Sequence, residues 1–176
     1  TRQDLTPFDA ETAKKVDVSK GAYVISDDEE TDIVFIATGS EVNLALEAAK
    51  ILRESGVGVR VVSMPSQELF LEQDYDYQDS VLPPDCMCYV SIEAGSTFGW
   101  HRFIGRDGLA IGLDHFGASA PYKVLAKEFG FTPEGVIERI KDHFICSEED
   151  DDCGCGCGCE DDDCGCGDCG CEHDHK

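Results

Sequence analysis

Nowhere in these 176 residues do eighteen apolar side chains follow one another, and about that many are needed for a helix to cross the hydrocarbon core of a bilayer. A basic, apolar leader is missing too, as is a lipidation signal at either end, so the sequence reads as a soluble chain of the cytoplasm or of an organelle. Basic charge is scarce. Fourteen lysines and arginines face 37 aspartates and glutamates, a formal charge of −23. With no basic stripe anywhere, nucleic acid and anionic membranes are excluded as partners, because binding them means neutralising phosphates with clustered cations. Cysteine is nearly absent from the first 145 residues, which hold only Cys86 and Cys88, while the other nine of eleven lie from Cys146 onward. A disulfide scaffold spreads its cysteines through the fold it staples, so this distribution points to a reducing compartment and to a separate role for the tail.

What is present divides the chain into a lead-in (residues 1–20), one globular domain (21–145) and an acidic Cys/Gly-rich tail (146–176). The length suits one domain with a proper core and is too short for two. The clearest architectural signal is Asp32–Ser66. Ile33-Val34-Phe35-Ile36-Ala37 is an unbroken apolar run, the pattern of a strand buried on both faces. Thr38 and Glu41 have the spacing of a capping box. Val42, Ala45, Leu46, Ala49 and Leu52 then recur at helical intervals, and Gly56 stands where a left-handed cap ends a helix. Val57 to Met64 is strand-forming, and Pro65 stops it. Strand, helix and strand of these lengths predict a βαβ unit with parallel strands.

On either side of that unit the expectations are simpler. Gly21–Ser26 predicts a short strand, antiparallel to the next because the turn between them is short, and Asp27–Glu30 reads as a solvated acidic loop. Ser66–Phe70 predicts a helical turn, and Tyr75 and Tyr77 read as half-buried surface residues. Cys86–Ile92 predicts a buried strand in which Cys86 and Cys88 act as small hydrophobes. Further elements follow: a helix from about Trp100 to Gly105, a strand over Leu109–Leu113, a helix begun by Pro121 and reaching Phe129, and a last helix from Thr132-Pro133 carrying Val136, Ile137, Ile140 and Phe144. Arg102 and Arg106 lie four apart, the spacing of a shared helix face, and are candidates to pair with a neighbouring domain. The sum is a three-layer α/β/α sandwich with a mixed, mostly parallel sheet of about five strands.

The candidate chemistry is sparse. Strand ends carry Gly39-Ser40-Glu41, Ser66, Glu93–Ser96 and Asp114-His115, where open sheets bind ligands. Glu41 already occupies the helix N-terminus and argues against an anion there. His101, His115 and His143 have no nucleophile at a recognisable spacing, so none is assigned acid/base work. The tail offers Cys153, Cys155, Cys157 and Cys159 as one set of four and Cys164, Cys166, Cys169 and Cys171 as a second, with His173 and His175 beyond. Four thiolates suit tetrahedral Zn, and their softness also suits Cu(I). Equally, so few apolar side chains cannot build a core, and the segment reads as disordered without metal.

In order and approximate spacing, ATGSEV, VVSMPS, VLP at Val81–Pro83, SIEAGSTFGW and FGASAPYKVLAKEFGF resemble the C-terminal (third) domain of transketolase, from about Thr1 to Phe144. Val62-Ser63-Met64-Pro65-Ser66 separates it from the related domains of deoxyxylulose-phosphate synthase and the pyruvate dehydrogenase beta subunit, which usually carry an arginine-containing, proline-aspartate version. The resemblance implies a fragment of an enzyme that moves a two-carbon ketol unit between sugar phosphates on thiamine diphosphate and a divalent cation. It also implies that those ligands come from other domains, leaving no catalytic and no cofactor-binding residue on this chain. The implied partners are the remaining transketolase domains and a second protomer, with a role in packing and dimer organisation. Cut from that setting, a domain is expected to expose an apolar face, with Phe98, Trp100, Phe103 and Phe116 as its candidates.

Overall fold

Five strands form one sheet in the order β1-β3-β2-β4-β5 in this computed structural model, which describes residues 5, 7–8 and 10–144. They are β1 (Tyr23–Ser26), β2 (Ile33–Ala37), β3 (Val59–Ser63), β4 (Cys88–Ile92) and β5 (Leu109–Ile111). The helices are α1 (Ala10–Lys15), α2 (Glu41–Glu54), α3 (Gln67–Leu71), α4 (Tyr75–Val81), α5 (His101–Ile104), α6 (Tyr122–Glu128) and α7 (Pro133–Phe144), and Val18–Lys20 is a single 3-10 turn. Strands β2 to β5 are parallel to their neighbours, and β1 alone runs antiparallel, on β3. The expected antiparallel edge is therefore present. Its neighbour is β3 rather than β2, because the β2–α2–β3 crossover places β3 between them.

The apolar run of β2 is explained by two cores, one on each face of the sheet. Ile33, Phe35 and Ala37 meet Val42, Ala45, Ala49 and Leu52 of α2 and Val136, Ile137 and Ile140 of α7. Val34 and Ile36 meet Phe70, Val81, Trp100 and Ile104, brought by α3, α4 and α5. Successive side chains of a strand alternate between faces, so a central strand covered on both sides has no position left for a polar residue. Burying each large side chain of this kind stabilises the fold by roughly 1.5–3 kcal/mol before chain entropy is counted.

Helix α2 ends as its sequence requires. Gly56 takes φ 84°, its amide donates to the Arg53 carbonyl, and the Val57 amide donates to the Leu52 carbonyl, the pair of bonds that closes a Schellman cap. Its start departs from expectation. Ser40, with helical φ and ψ, precedes the first residue and caps no amide with its side chain. Thr38 turns its hydroxyl to Glu93 instead, so the capping box does not form. Pro121 likewise stands before α6, at φ −55° and ψ 139°, rather than inside its first turn.

The acidic turn before β2 is exposed at Asp27, Glu29 and Glu30, as its composition suggests, yet two of its carboxylates also bind arginines. Asp28 accepts from Nε of Arg53 at 2.6 Å and from the Val59 amide at 2.8 Å, while Arg53 also donates to Ser26 Oγ and the Val59 carbonyl. Asp27 receives both Nε and Nη2 of Arg60 at 2.8 Å. Two aspartates thus tie the β1–β2 turn to α2 and β3. The Arg53 guanidinium, then the Val59 amide, hold the Asp28 carboxyl below its ordinary range. A carboxylate whose pKa is lower in the folded state stabilises the fold above its unfolded pKa of about 3.9, and that contribution fades as pH falls through the lowered value. Asp28→Asn is expected to flatten the loss of stability below about pH 4. Urea unfolding at several pH values checks this, and an unchanged acid limb contradicts it.

Among the described residues no helix is long and apolar enough to cross a membrane. The eight tail cysteines, from Cys153 to Cys171, lie outside the described residues.

Candidate functional site

The sheet order reverses about β2. The chain leaves β2 toward β3 on one side and returns to β4 on the other, and the carboxyl ends of β2 and β4 therefore border the crevice where open α/β sheets bind ligands. Glu93, just past β4, spans it. Its Oε1 accepts from Thr38 Oγ1 at 3.3 Å and its Oε2 accepts from Nε1 of Trp100 at 2.8 Å. Trp100 is 2 % exposed, so the carboxylate satisfies an indole N–H that burial would otherwise leave unpaired. Glu93 thereby joins the end of β2 to the start of α5.

A second carboxylate works the same way one strand further on. Asp114 accepts from the Thr97 amide at 2.9 Å, from Thr97 Oγ1 at 2.6 Å and from Ser96 Oγ at 3.1 Å. The Thr97 hydroxyl and amide hold its carboxyl below the ordinary range, helped by Ser96 and nearby His115. The loop after β4 is thus clamped to the loop after β5. Leu113 adds a backbone bond to the Gly95 carbonyl at 2.6 Å.

Behind these loops is a cavity of about 560 Å³. Leu44, Leu113, Leu125, Phe129 and Phe131 supply its apolar wall, with Glu41 and Glu47 of α2 and Lys123 of α6 at its polar margin. Diphosphate does not fit this lining: Glu41 and Glu47 repel phosphate oxygens, and Lys123 is the one cation among the lining residues to oppose them. No group of three or more His, Cys, Asp or Glu side chains with metal-binding geometry occurs among the described residues.

Each of the three histidines of the domain faces a different backbone carbonyl. His101 Nδ1 lies 3.4 Å from the Gly105 carbonyl, His115 Nδ1 2.9 Å from the Phe116 carbonyl, and His143 Nε2 3.0 Å from the Asp107 carbonyl. His115 also packs on the Phe129 ring at 5.1 Å between centroids. Arg102 lies on α5, which ends before Arg106, so the two do not share a helix face. Of the four aromatic residues expected on an open face, Trp100 is in the core and Phe103 packs on Phe70 and Trp100, while Phe98 and Phe116 are 93 % and 99 % exposed. The tyrosines also divide. Tyr75 is exposed, whereas Tyr77 donates to the Ala22 carbonyl at 2.8 Å beneath Lys20. Cys86 and Cys88 are free thiols of intermediate burial.

Residues 21–132 match the family described as "Transketolase-like TK C-terminal domain". The chain belongs to that family. It is 48% identical over 136 residues to the plasmid transketolase of Cupriavidus necator, covering 77% of this chain and 20% of that one. It is 52% identical over 128 residues to a chloroplastic transketolase of Craterostigma plantagineum, with 71% and 25% covered. Among solved structures it is similar to transketolase from Leishmania mexicana, with a TM-score of 0.66 at 44% identity over 72% of this chain and 18% of that one. A Pichia stipitis transketolase complexed with sedoheptulose-7-phosphate gives 0.66 at 39% identity over 80% and 19%. The chain spans about a fifth to a quarter of the length of these curated relatives.

Proposed function

We propose that this chain serves as the C-terminal, non-catalytic domain of a transketolase, organising the packing and dimerisation of an enzyme whose ketol transfer depends on thiamine diphosphate and a divalent cation bound elsewhere. Membership of the C-terminal domain family over residues 21–132 carries this reading. The engagement of the crevice carboxylates agrees with it, since Glu93 and Asp114 hold loops together rather than face an open reaction space. The remaining transketolase domains and a second protomer are the partners. Bacterial and chloroplastic relatives alike match the domain, and a cytoplasmic or plastid setting suits it equally.

The test is calorimetry of the full chain with thiamine diphosphate and magnesium. No saturable heat is expected, because Glu41 and Glu47 at the cavity and a formal charge of −23 oppose a diphosphate. Saturable binding at micromolar concentration overturns the assignment.

A further inference from the structure

Residues 114–124 are exposed at all eleven positions, and the helix that begins at the end of this stretch is unusual for a folded domain. Helix α6, seven residues long, buries none of its side chains. A helix of that length is unstable in water by itself and normally depends on packing an apolar face. Leu125 and Ala126 line the cavity half-buried, while Val124 is 55 % and Tyr122 52 % exposed, and Phe116, on the loop before the helix, is 99 % exposed. Phe98, at 93 %, follows the Ser96-Thr97 loop, which Asp114 ties to the start of this exposed stretch through three hydrogen bonds. Two almost fully exposed aromatic residues on tied loops, beside a helix that buries none of its side chains fully, mark an interaction site rather than scattered surface hydrophobes.

We infer that Phe98, Phe116, Tyr122 and Val124 form the surface on which the part of a transketolase that precedes this domain docks. The inference rests on the function proposed above and assigns it a place. Two observations select this occupant. The relatives carry about four-fifths of their length outside the matched span, so further sequence is tethered to this domain in each of them. Charge argues against a second copy. None of the 37 acidic residues lies between Asp114 and Glu128, whereas Lys123 and Lys127 do. A two-fold contact of the patch with itself would gather two copies of both lysines in one interface, while an apolar partner face with an acidic rim complements them. Arg53, Arg60 and Arg139 have partners, whereas Arg102 and Arg106, which follow Phe98 in the chain, are exposed and unpaired among the described residues.

The experiment mixes the full chain with the Aquifex aeolicus transketolase, 48% identical over 142 residues, truncated before the matching segment, and follows binding by interferometry. Binding is expected, and Phe98→Ser with Phe116→Ser together should weaken it by about tenfold or more. Tyr75→Ser, at an exposed aromatic residue of α4, should leave it unchanged. Binding that ignores the double substitution overturns the surface and leaves the proposed function standing. A folded partner that does not bind the parent chain overturns both. Sedimentation of the chain alone covers the other occupant: a dimer that the double substitution converts to monomer, with no binding to the truncated enzyme, assigns the patch to a second copy and overturns the inference. Where the truncated enzyme does not fold, residues 1–144 are grafted onto it in place of its own last domain. The same pair of substitutions is then expected to lower the melting temperature of the graft more than that of the free chain, and equal shifts overturn the inference.

Discussion

Gly21→Ala is expected to destabilise the domain by about 4 kcal/mol, as an added methyl meets two obstacles at once. Gly21 has φ 81°, a region that costs a residue with a side chain roughly 1–2 kcal/mol. A Cβ there would also collide with the Phe70 amide nitrogen and the Ser66 carbonyl at the start of α3, and backbone atoms cannot rotate aside as a side chain does. Overpacking of this kind adds about 1–3 kcal/mol. The close approach is needed because the Ser66 amide donates to the Gly21 carbonyl at 3.0 Å, pinning β1 to α3. For a domain with a typical stability of about 5–15 kcal/mol the loss is severe. Urea unfolding should show a large fall in midpoint at nearly constant slope. A change below about 1 kcal/mol contradicts this account of the β1–α3 junction.

For the tail our proposal is soft-metal binding, and the expected effect is complete. With Cys153, Cys155, Cys157, Cys159, Cys164, Cys166, Cys169 and Cys171 all changed to serine, reduced protein should lose the one or two zinc ions that native mass spectrometry is expected to find on the parent. Zn and Cu(I) both favour thiolate ligands, and two sets of four thiols match a tetrahedral requirement twice over. Each thiol must shed a proton to bind, and the twelve carboxylates of residues 146–176 raise that requirement by opposing thiolate formation. Binding should therefore weaken steeply as pH falls. Equal zinc on the serine variant and the parent sinks the proposal.

The two-sided burial of β2, the helical stripe of α2 and its glycine cap were legible because each is a local pattern with one structural solution. Strand count and the antiparallel edge followed from lengths and turns. What the sequence concealed was long-range. Asp27 and Asp28 look like solvent-facing charge until the fold brings Arg60 and Arg53 to them across 33 and 25 residues. Thr38 has the spacing of a cap, yet Glu93, 55 residues away, competes for its hydroxyl and wins. The same carboxylate decides Trp100, whose glycine-flanked loop suggests exposure but whose indole N–H finds a buried partner. One signal was available and unused: the carboxylate-free stretch from His115 to Lys127 stands out in so acidic a chain.

The most direct measurement replaces the last domain of the Cupriavidus necator plasmid transketolase with residues 1–144 of this chain and assays the hybrid. At 48% identity over the matched span, the account predicts a soluble dimer that retains transketolase activity. A hybrid that folds and dimerises but has lost activity, or one that fails to assemble while the parent enzyme prepared alongside it is active, would contradict it.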